Sequence, residues 1–142
     1  MNGGKGPQPA NPALLHRFLG IGQVVVAVAL VIARQAGAGG GPQPDSRLPA
    51  YVLAGVSFLL CSGAALLLKP QVPRRQGGKT PAAYWADSAV TSKALLLWFI
   101  LEGASILASV SYFLGGGAIA MALIVLTVAV YWMNGPRVFA GD

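Results

Sequence analysis

A single glutamate is the residue of this 142-residue sequence with the clearest chemical potential. Glu102 lies inside a long apolar segment, nine residues after Lys93, which is about 13 Å along a helix axis. A carboxylate in such surroundings is expected to take up a proton or to find hydrogen-bond donors. Acids of this kind either hold neighbouring helices together or exchange protons or ions. The sequence leaves both interpretations open.

Candidate partners for Glu102 follow from helix periodicity and depth. Residues 102, 105, 109 and 112 have 3-4-3 spacing, which predicts one polar stripe along a helix. Gln23, Cys61 and Thr127 lie at comparable depths in three other apolar segments. We therefore predict a polar layer in which the Gln23 amide donates to Glu102, with Ser105 or Thr127 assisting. This group is the candidate proton, ion or bundle-polar site.

Equivalent stripes are predicted on the other apolar segments. They are His16, Gly20, Gln23 and Ala27; Ala54, Ser57, Cys61 and Ala64; and Thr127, Tyr131 and Asn134. Small and weakly polar residues of this kind form helix interfaces in lipid, because they allow close approach and hydrogen bonds between helices.

Other reactive residues are sparse. The sequence has one cysteine and one histidine, and it contains no GxSxG, P-loop, HExxH or CxxC motif. We therefore predict no catalytic residues, no bound cofactor and no metal site, and we do not expect an enzyme. The net charge of +6 could indicate a nucleic-acid partner, but the positions of the basic residues favour a different explanation.

Composition predicts the elements that must position these residues. The chain is 55% hydrophobic and only 10% charged, with a mean hydropathy of +0.64. Since an average soluble domain is about 25% charged, this composition predicts an integral membrane protein. Four segments have roughly the 20 apolar residues that a spanning helix needs. They are residues 14–33, 50–68, 94–114 and 117–133.

The fold predicted from these segments is an all-α, integral membrane four-helix bundle made of two antiparallel hairpins. It occupies residues 14–134, between a flexible tail at 1–13 and a short tail at 135–142. The segment 35–50 is rich in glycine and proline and predicts a flexible connection, whereas three glycines at 115–117 predict a tight hairpin. Residues 81–93 could extend the third span or lie at the membrane surface, and the sequence does not decide.

Basic residues predict the orientation. Those expected on one side are Lys5, Arg17, Lys69, Arg74, Arg75, Lys79, Lys93 and Arg137, whereas the other side has Arg34 and Arg47. Because cytoplasmic loops carry the excess of Lys and Arg, both termini are predicted to be cytoplasmic. Arg74, Arg75 and Lys79 are candidate contacts for lipid headgroups. A cleaved signal peptide over residues 1–38 is the alternative interpretation of the first apolar segment.

Two stretches carry a resemblance to a known family. KPQVPRRQ (69–76) followed by SKALLLWFILEGASIL (92–107) is similar to the proteolipid, or c subunit, of rotary ATPases, a resemblance that implies proton exchange at Glu102. The sequence departs from that family because its preceding helix lacks alternating glycines and its carboxylate lies on the third of four spans. The overall pattern more closely resembles small four-span membrane proteins of bacteria, a likeness that implies no activity.

These observations predict a multi-pass protein of a bacterial inner membrane. Its expected role is that of a non-enzymatic structural or accessory subunit, in contact with the lipid bilayer and with other membrane subunits or further copies of itself. No nucleic-acid partner is expected. The alternative is a proton-handling transporter or rotor element that uses Glu102.

Overall fold

The computed structural model describes residues 11–38 and 44–141, and within these ranges the chain forms helices and no strands. The helices are α1 (Pro12–Gln35), α2 (Pro44–Gly63), α3 (Pro81–Trp85), α4 (Ser88–Gly115), α5 (Ala118–Met133) and α6 (Pro136–Ala140). A π-helical turn (Ala64–Leu68) and a 3-10 turn (Lys69–Gln71) extend α2. By length and composition, four helical stretches are able to cross a membrane.

Local chemistry explains where the helices begin and turn. The Asn11 side chain accepts a hydrogen bond from the backbone N–H of Ala13 at 3.0 Å and caps α1. Thr80 caps α3 in the same manner, as its position before a proline predicts. Between α4 and α5, Gly116 and Gly117 have φ angles of 66° and 93°, a region that favours glycine. The tight hairpin predicted for this point is present.

Some predicted boundaries change. α2 begins at Pro44, so the second half of the expected flexible connection is helical, whereas residues 39–43 lie outside the described ranges. The segment 81–93 divides between the separate helix α3 and the first turns of α4. The expected C-terminal tail contains α6, whose residues Phe139 and Ala140 are buried. The predicted tail at 1–13 lies outside the described residues up to position 10.

α4 is the central helix. It packs against α1, α2 and α5, whereas the contacts of α5 with α1 and with α2 are smaller. Half of its most apolar stretch is buried, against 17–28% for the other three spanning helices. α1 and α2 have almost no contact with each other, because each packs on α4 instead. α4 and α5 thus pack against each other on either side of the glycine turn, whereas α1 and α2, which were predicted to form a second hairpin, do not pack together.

Serine hydroxyls fix α2 antiparallel to α4. Ser57 donates to the carbonyl of Ala104 at 2.7 Å, and Ser111 donates to the carbonyl of Ala50 at 2.8 Å. All four residues are buried. Because each hydroxyl reaches a carbonyl of the facing helix, the two backbones must approach closely.

The basic end of the molecule is held together by Arg75. Its guanidinium donates to the carbonyls of Lys79 at 3.0 Å and Gly141 at 2.6 Å, which ties the α2–α3 connection to the C-terminal segment. Tyr84 in α3 donates to the carbonyl of Pro73 in the same connection. Burial raises the pKa of the Tyr84 phenol, and the charge of Asp87 adds to that shift.

Arg34 organises the opposite end. Its guanidinium donates to the carbonyl of Phe113, and it lies 5.9 Å from the centre of the Tyr112 ring. The last carbonyls of a helix have no partner within the helix, and a cation near them is favourable. Arg34 therefore links the last turn of α1 to the last turns of α4.

We predict that Gly20→Ala lowers the free energy of unfolding by about 1–3 kcal/mol, the usual cost of overpacking. A Cβ at Gly20 would lie 2.8 Å from Cζ2 of Trp132 and 2.9 Å from Cε1 of Tyr131, so either these rings must shift or α1 and α5 must separate. The measurement is thermal unfolding of the purified protein in detergent.

Gly22→Ala is the matched control in the same helix. A Cβ at Gly22 has no atom within 4 Å, and alanine favours the helix by about 0.5–1 kcal/mol over glycine. The control is expected to unfold at the same temperature as the wild type or higher. Equal midpoints for both variants would contradict the close packing of α1 on α5.

Candidate functional site

The helices α1, α4 and α5 contact one another at two heights along the bundle, one on each side of its middle. Residues from α1, α4 and α5 form each level: His16, Trp98 and Tyr131 near the basic end, and Ala27, Ala108 and Ile124 nearer the opposite end. The His16 ring stacks on Tyr131 with centroids 4.4 Å apart. These contacts set α1 and α4 parallel to each other and α5 antiparallel to both.

Gln23, Ser105 and Thr127 lie between those two levels, one on each helix. All three are buried, and Gln23 is only 1% exposed. The prediction from 3-4 spacing that these three side chains face inward is therefore correct. On α2, the hydroxyl of Ser57 is bonded at the level of Ala104. Cys61 is buried one helical turn nearer the basic end.

The predicted hydrogen bond between Gln23 and Glu102 is not formed. Both polar atoms of the Gln23 side chain lack a partner, as does the hydroxyl of Ser105. The hydroxyl of Thr127 donates to its own helix, at 2.9 Å from the carbonyl of Leu123. A threonine in a helix can satisfy itself in this manner, so its hydroxyl is not free to assist a neighbour.

Glu102 is only partly buried, and its carboxylate lies within electrostatic range of the fully buried Tyr131 of α5. It lies near the middle of α4, at the border between the buried face of Ser105 and Ser109 and the exposed face of Phe99 and Ile106. Phe99 is 52% exposed. The Glu102 carboxylate makes no hydrogen bond within the described part of the chain. This group can therefore meet a partner from outside the helical core.

The three predicted headgroup contacts have different environments. Arg75 uses its guanidinium for the two backbone carbonyls that join the connection to the C-terminal segment. Arg74 and Lys79 are exposed and line a cavity of about 360 Å³ with Gly141. Arg74 and Lys79 thus keep the freedom that a headgroup contact requires, whereas Arg75 does not.

His16 is buried, but the contacts of its ring could not be predicted from the sequence. The ring contacts Tyr131, Trp98 and Trp132, and its Nε2–H donates to the carbonyl of Tyr131 at 3.4 Å. The Tyr131 hydroxyl returns a bond to the carbonyl of His16 at 2.7 Å. Its spacing to Gly20 and Gln23 was the available signal, because it placed His16 on the inward stripe.

Within residues 11–38 and 46–141, no three His, Cys, Asp or Glu side chains are grouped closely enough to hold a metal ion. The arrangement that is present is a buried layer of neutral polar groups beside a half-buried carboxylate.

Comparisons of the chain with models of protein families, with curated proteins and with solved structures found no match.

We predict that Gln23→Met leaves the free energy of unfolding unchanged or raises it by about 1–3 kcal/mol. A buried amide without hydrogen bonds carries a desolvation cost of that size, and methionine has a similar length and no such cost. Chemical or thermal unfolding in detergent provides the measurement.

Ser57→Ala is the comparison variant, because it removes a buried hydroxyl that does have a partner. It is expected to lose about 0.5–1.5 kcal/mol, the usual net value of one hydrogen bond. A Gln23→Met protein that is less stable than Ser57→Ala would show that the Gln23 amide has a favourable partner.

Proposed function

We propose that the chain is a multi-pass integral membrane protein that crosses the bilayer four times and acts as a non-enzymatic structural or accessory subunit. The observation that carries the proposal is an inverted distribution of polarity in the helices. Polar side chains point inward, and large apolar side chains cover the outside. A water-soluble bundle has the opposite arrangement, since its exposed faces must be polar.

α1 shows the inversion most clearly. Its buried residues include His16 and Gln23, whereas one continuous outer stripe consists of exposed apolar side chains. That stripe is Leu14, Phe18, Ile21, Val25, Val28 and Ile32. No charged residue occurs between Arg17 and Arg34, a distance of about 25 Å along the helix, close to the thickness of the hydrocarbon core.

The ends of the molecule support the proposed orientation. The start of α1, the α2–α4 connection and α6 lie together, since Asn11, Pro81 and Pro136 line one cavity. Most described basic residues are at this end, and Arg34 and Arg47 are at the other. Because positive charge is retained in the cytoplasm, we assign the basic end to the cytoplasm of a bacterial cell. Arg74 and Lys79 would contact headgroups of the inner leaflet.

The proposed accessory role is based on the exposed apolar surface of the helices. Exposed large apolar side chains occur on all four spanning helices, for example Phe18, Phe58, Phe99 and Trp132. Such faces are suited to lipid, to other membrane subunits or to further copies of the chain, and not to nucleic acid. No nucleophile and base are paired at the polar layer, so the proposal includes no catalytic activity or cofactor.

Single-cysteine labelling tests this assignment. In a Cys61→Ala background, Gln35→Cys and Gln76→Cys place exposed thiols at opposite ends of the molecule. A membrane-impermeant maleimide added to intact spheroplasts is expected to label Gln35→Cys and to leave Gln76→Cys unmodified. After permeabilisation both thiols are expected to react, and the protein is expected to stay in the pellet during alkaline carbonate extraction.

Reversed labelling would refute the orientation while leaving membrane insertion intact. Release of the protein by carbonate would refute insertion itself. The Cys61→Ala parent without a new cysteine provides the background value.

A second candidate function is proton exchange at Glu102. The observation in its favour is the half-buried carboxylate at the middle of α4, beside the exposed side chains of Phe99 and Ile106. A carboxylate in that position must take up a proton when it faces lipid and can release it when a polar partner arrives.

Carbodiimide labelling distinguishes this candidate from a purely structural role. Dicyclohexylcarbodiimide reacts with protonated carboxyl groups, so modification of Glu102 is expected to decrease as the pH rises. Mass spectrometry of the α4 peptide measures it. Glu102→Gln is expected to abolish labelling, and Asp87→Asn, which changes the cap of α4, is expected to retain it. Labelling that is absent or independent of pH would refute proton exchange.

A further inference from the structure

Two adjoining cavities at the basic end share a pair of arginines. The larger, about 460 Å³, is lined by Arg17, Arg137 and Trp85 among others. The smaller, about 250 Å³, is lined by Arg17, Arg137, His16 and Trp132. The two arginines come from α1 and α6, which are far apart in the sequence. The sequence-based prediction of headgroup contacts did not include either residue.

Neither arginine is used by the fold. The guanidinium groups of Arg34 and Arg75 donate hydrogen bonds to backbone carbonyls. The side chains of Arg17 and Arg137 are exposed instead, and they make no hydrogen bond or ion pair in the described part of the chain. Asp87, the nearest acid in the sequence to the cavity wall, lines neither cavity and accepts a bond from the backbone of Ala89 instead. Among the residues that the structure describes, no acidic side chain lines either cavity.

Two arginines that line the same cavities suit a phosphate. Each arginine presents a planar set of donors that can bind two phosphate oxygens at once, which a lysine cannot do. A cavity wall with an indole ring beside the charges is typical of the interfacial region, where tryptophan is enriched. The chemistry of the site therefore selects an anionic phosphate ester.

The surroundings favour a lipid as the source of that phosphate. The outer apolar stripe of α1 begins with Leu14 and Phe18, which flank Arg17, and it continues along the whole helix. On the other side, Trp132 and Val138 are also exposed. A headgroup held by the arginines would have its acyl chains against these side chains.

We infer that Arg17 and Arg137 form a binding site for the phosphate of an anionic phospholipid at the basic end of the bundle. The inference deepens the proposed function and rests on the membrane location. It differs from general attraction of basic residues to a membrane surface, because it requires these two arginines together and not their net charge.

The test compares two double variants of the full-length protein in a neutral detergent. Arg17→Gln/Arg137→Gln removes the pair, and Lys69→Gln/Lys93→Gln removes two charges that are also at the basic end and line neither cavity. Phosphatidylglycerol and phosphatidylcholine are titrated separately, and native mass spectrometry measures the bound lipid. Inorganic phosphate is added in a third arm.

The wild type is expected to bind phosphatidylglycerol more tightly than phosphatidylcholine. The arginine variant is expected to lose about tenfold or more in affinity for phosphatidylglycerol, and the lysine variant is expected to stay within about twofold of the wild type. Inorganic phosphate is expected to leave the bound lipid in place, because it has no acyl chains.

Equal losses in the two variants would overturn the inference in favour of general electrostatic attraction, and no loss in the arginine variant would overturn it outright. Displacement of the lipid by millimolar inorganic phosphate would overturn the lipid assignment in favour of a soluble phosphate. Since binding is measured in detergent, these failures are distinct from release during carbonate extraction, which would refute membrane insertion.

Discussion

All three of the other long helices pack against α4, and small residues on its faces make this possible. Ala94, Ala104 and Ala108 are fully buried there. Without side chains beyond Cβ at these points, neighbouring backbones approach closely enough for serine hydroxyls to reach carbonyls across the interface. In lipid, where water is absent, such contacts and dispersion forces are the main attraction between helices. The positions of α1, α2 and α5 follow from this packing.

The two ends of the bundle are closed by arginines with different tasks. Arg34 connects α1 to the end of α4, and Arg75 connects the long loop to the C-terminal segment. Both donate to backbone carbonyls that helices and loops leave unpaired. Arg17 and Arg137 have no such task, which is why they are available to an external anion. Arginines that count equally towards the net charge therefore fall into two groups: those that hydrogen-bond within the fold and those whose side chains are left to bind an external anion.

The predicted inward stripes were largely correct because helical periodicity alone determines which residues share a face. His16, Gly20, Gln23 and Ala27 are the buried residues of α1, as their spacing predicted. On α4 the stripe is less complete, because Ser105 and Ser109 are buried whereas Glu102 is only partly buried. Periodicity gives the angle between residues on one helix, but the width of the buried face depends on where the neighbouring helices lie. That position is a property of the whole bundle.

The sequence by itself determined the helical class, the four long apolar helices, the glycine turn between α4 and α5, and the clustering of basic residues near particular helix ends. These properties depend on local preferences and on composition, which act over one segment at a time. Only the tertiary structure decided that α4 is central and that α1 and α2 are not packed together. It also decided that Gln23 and Glu102 form no hydrogen bond with each other, and that Arg17 and Arg137 line the same cavities. Those outcomes depend on which surfaces of different helices fit together, and residues far apart in the sequence supply those surfaces.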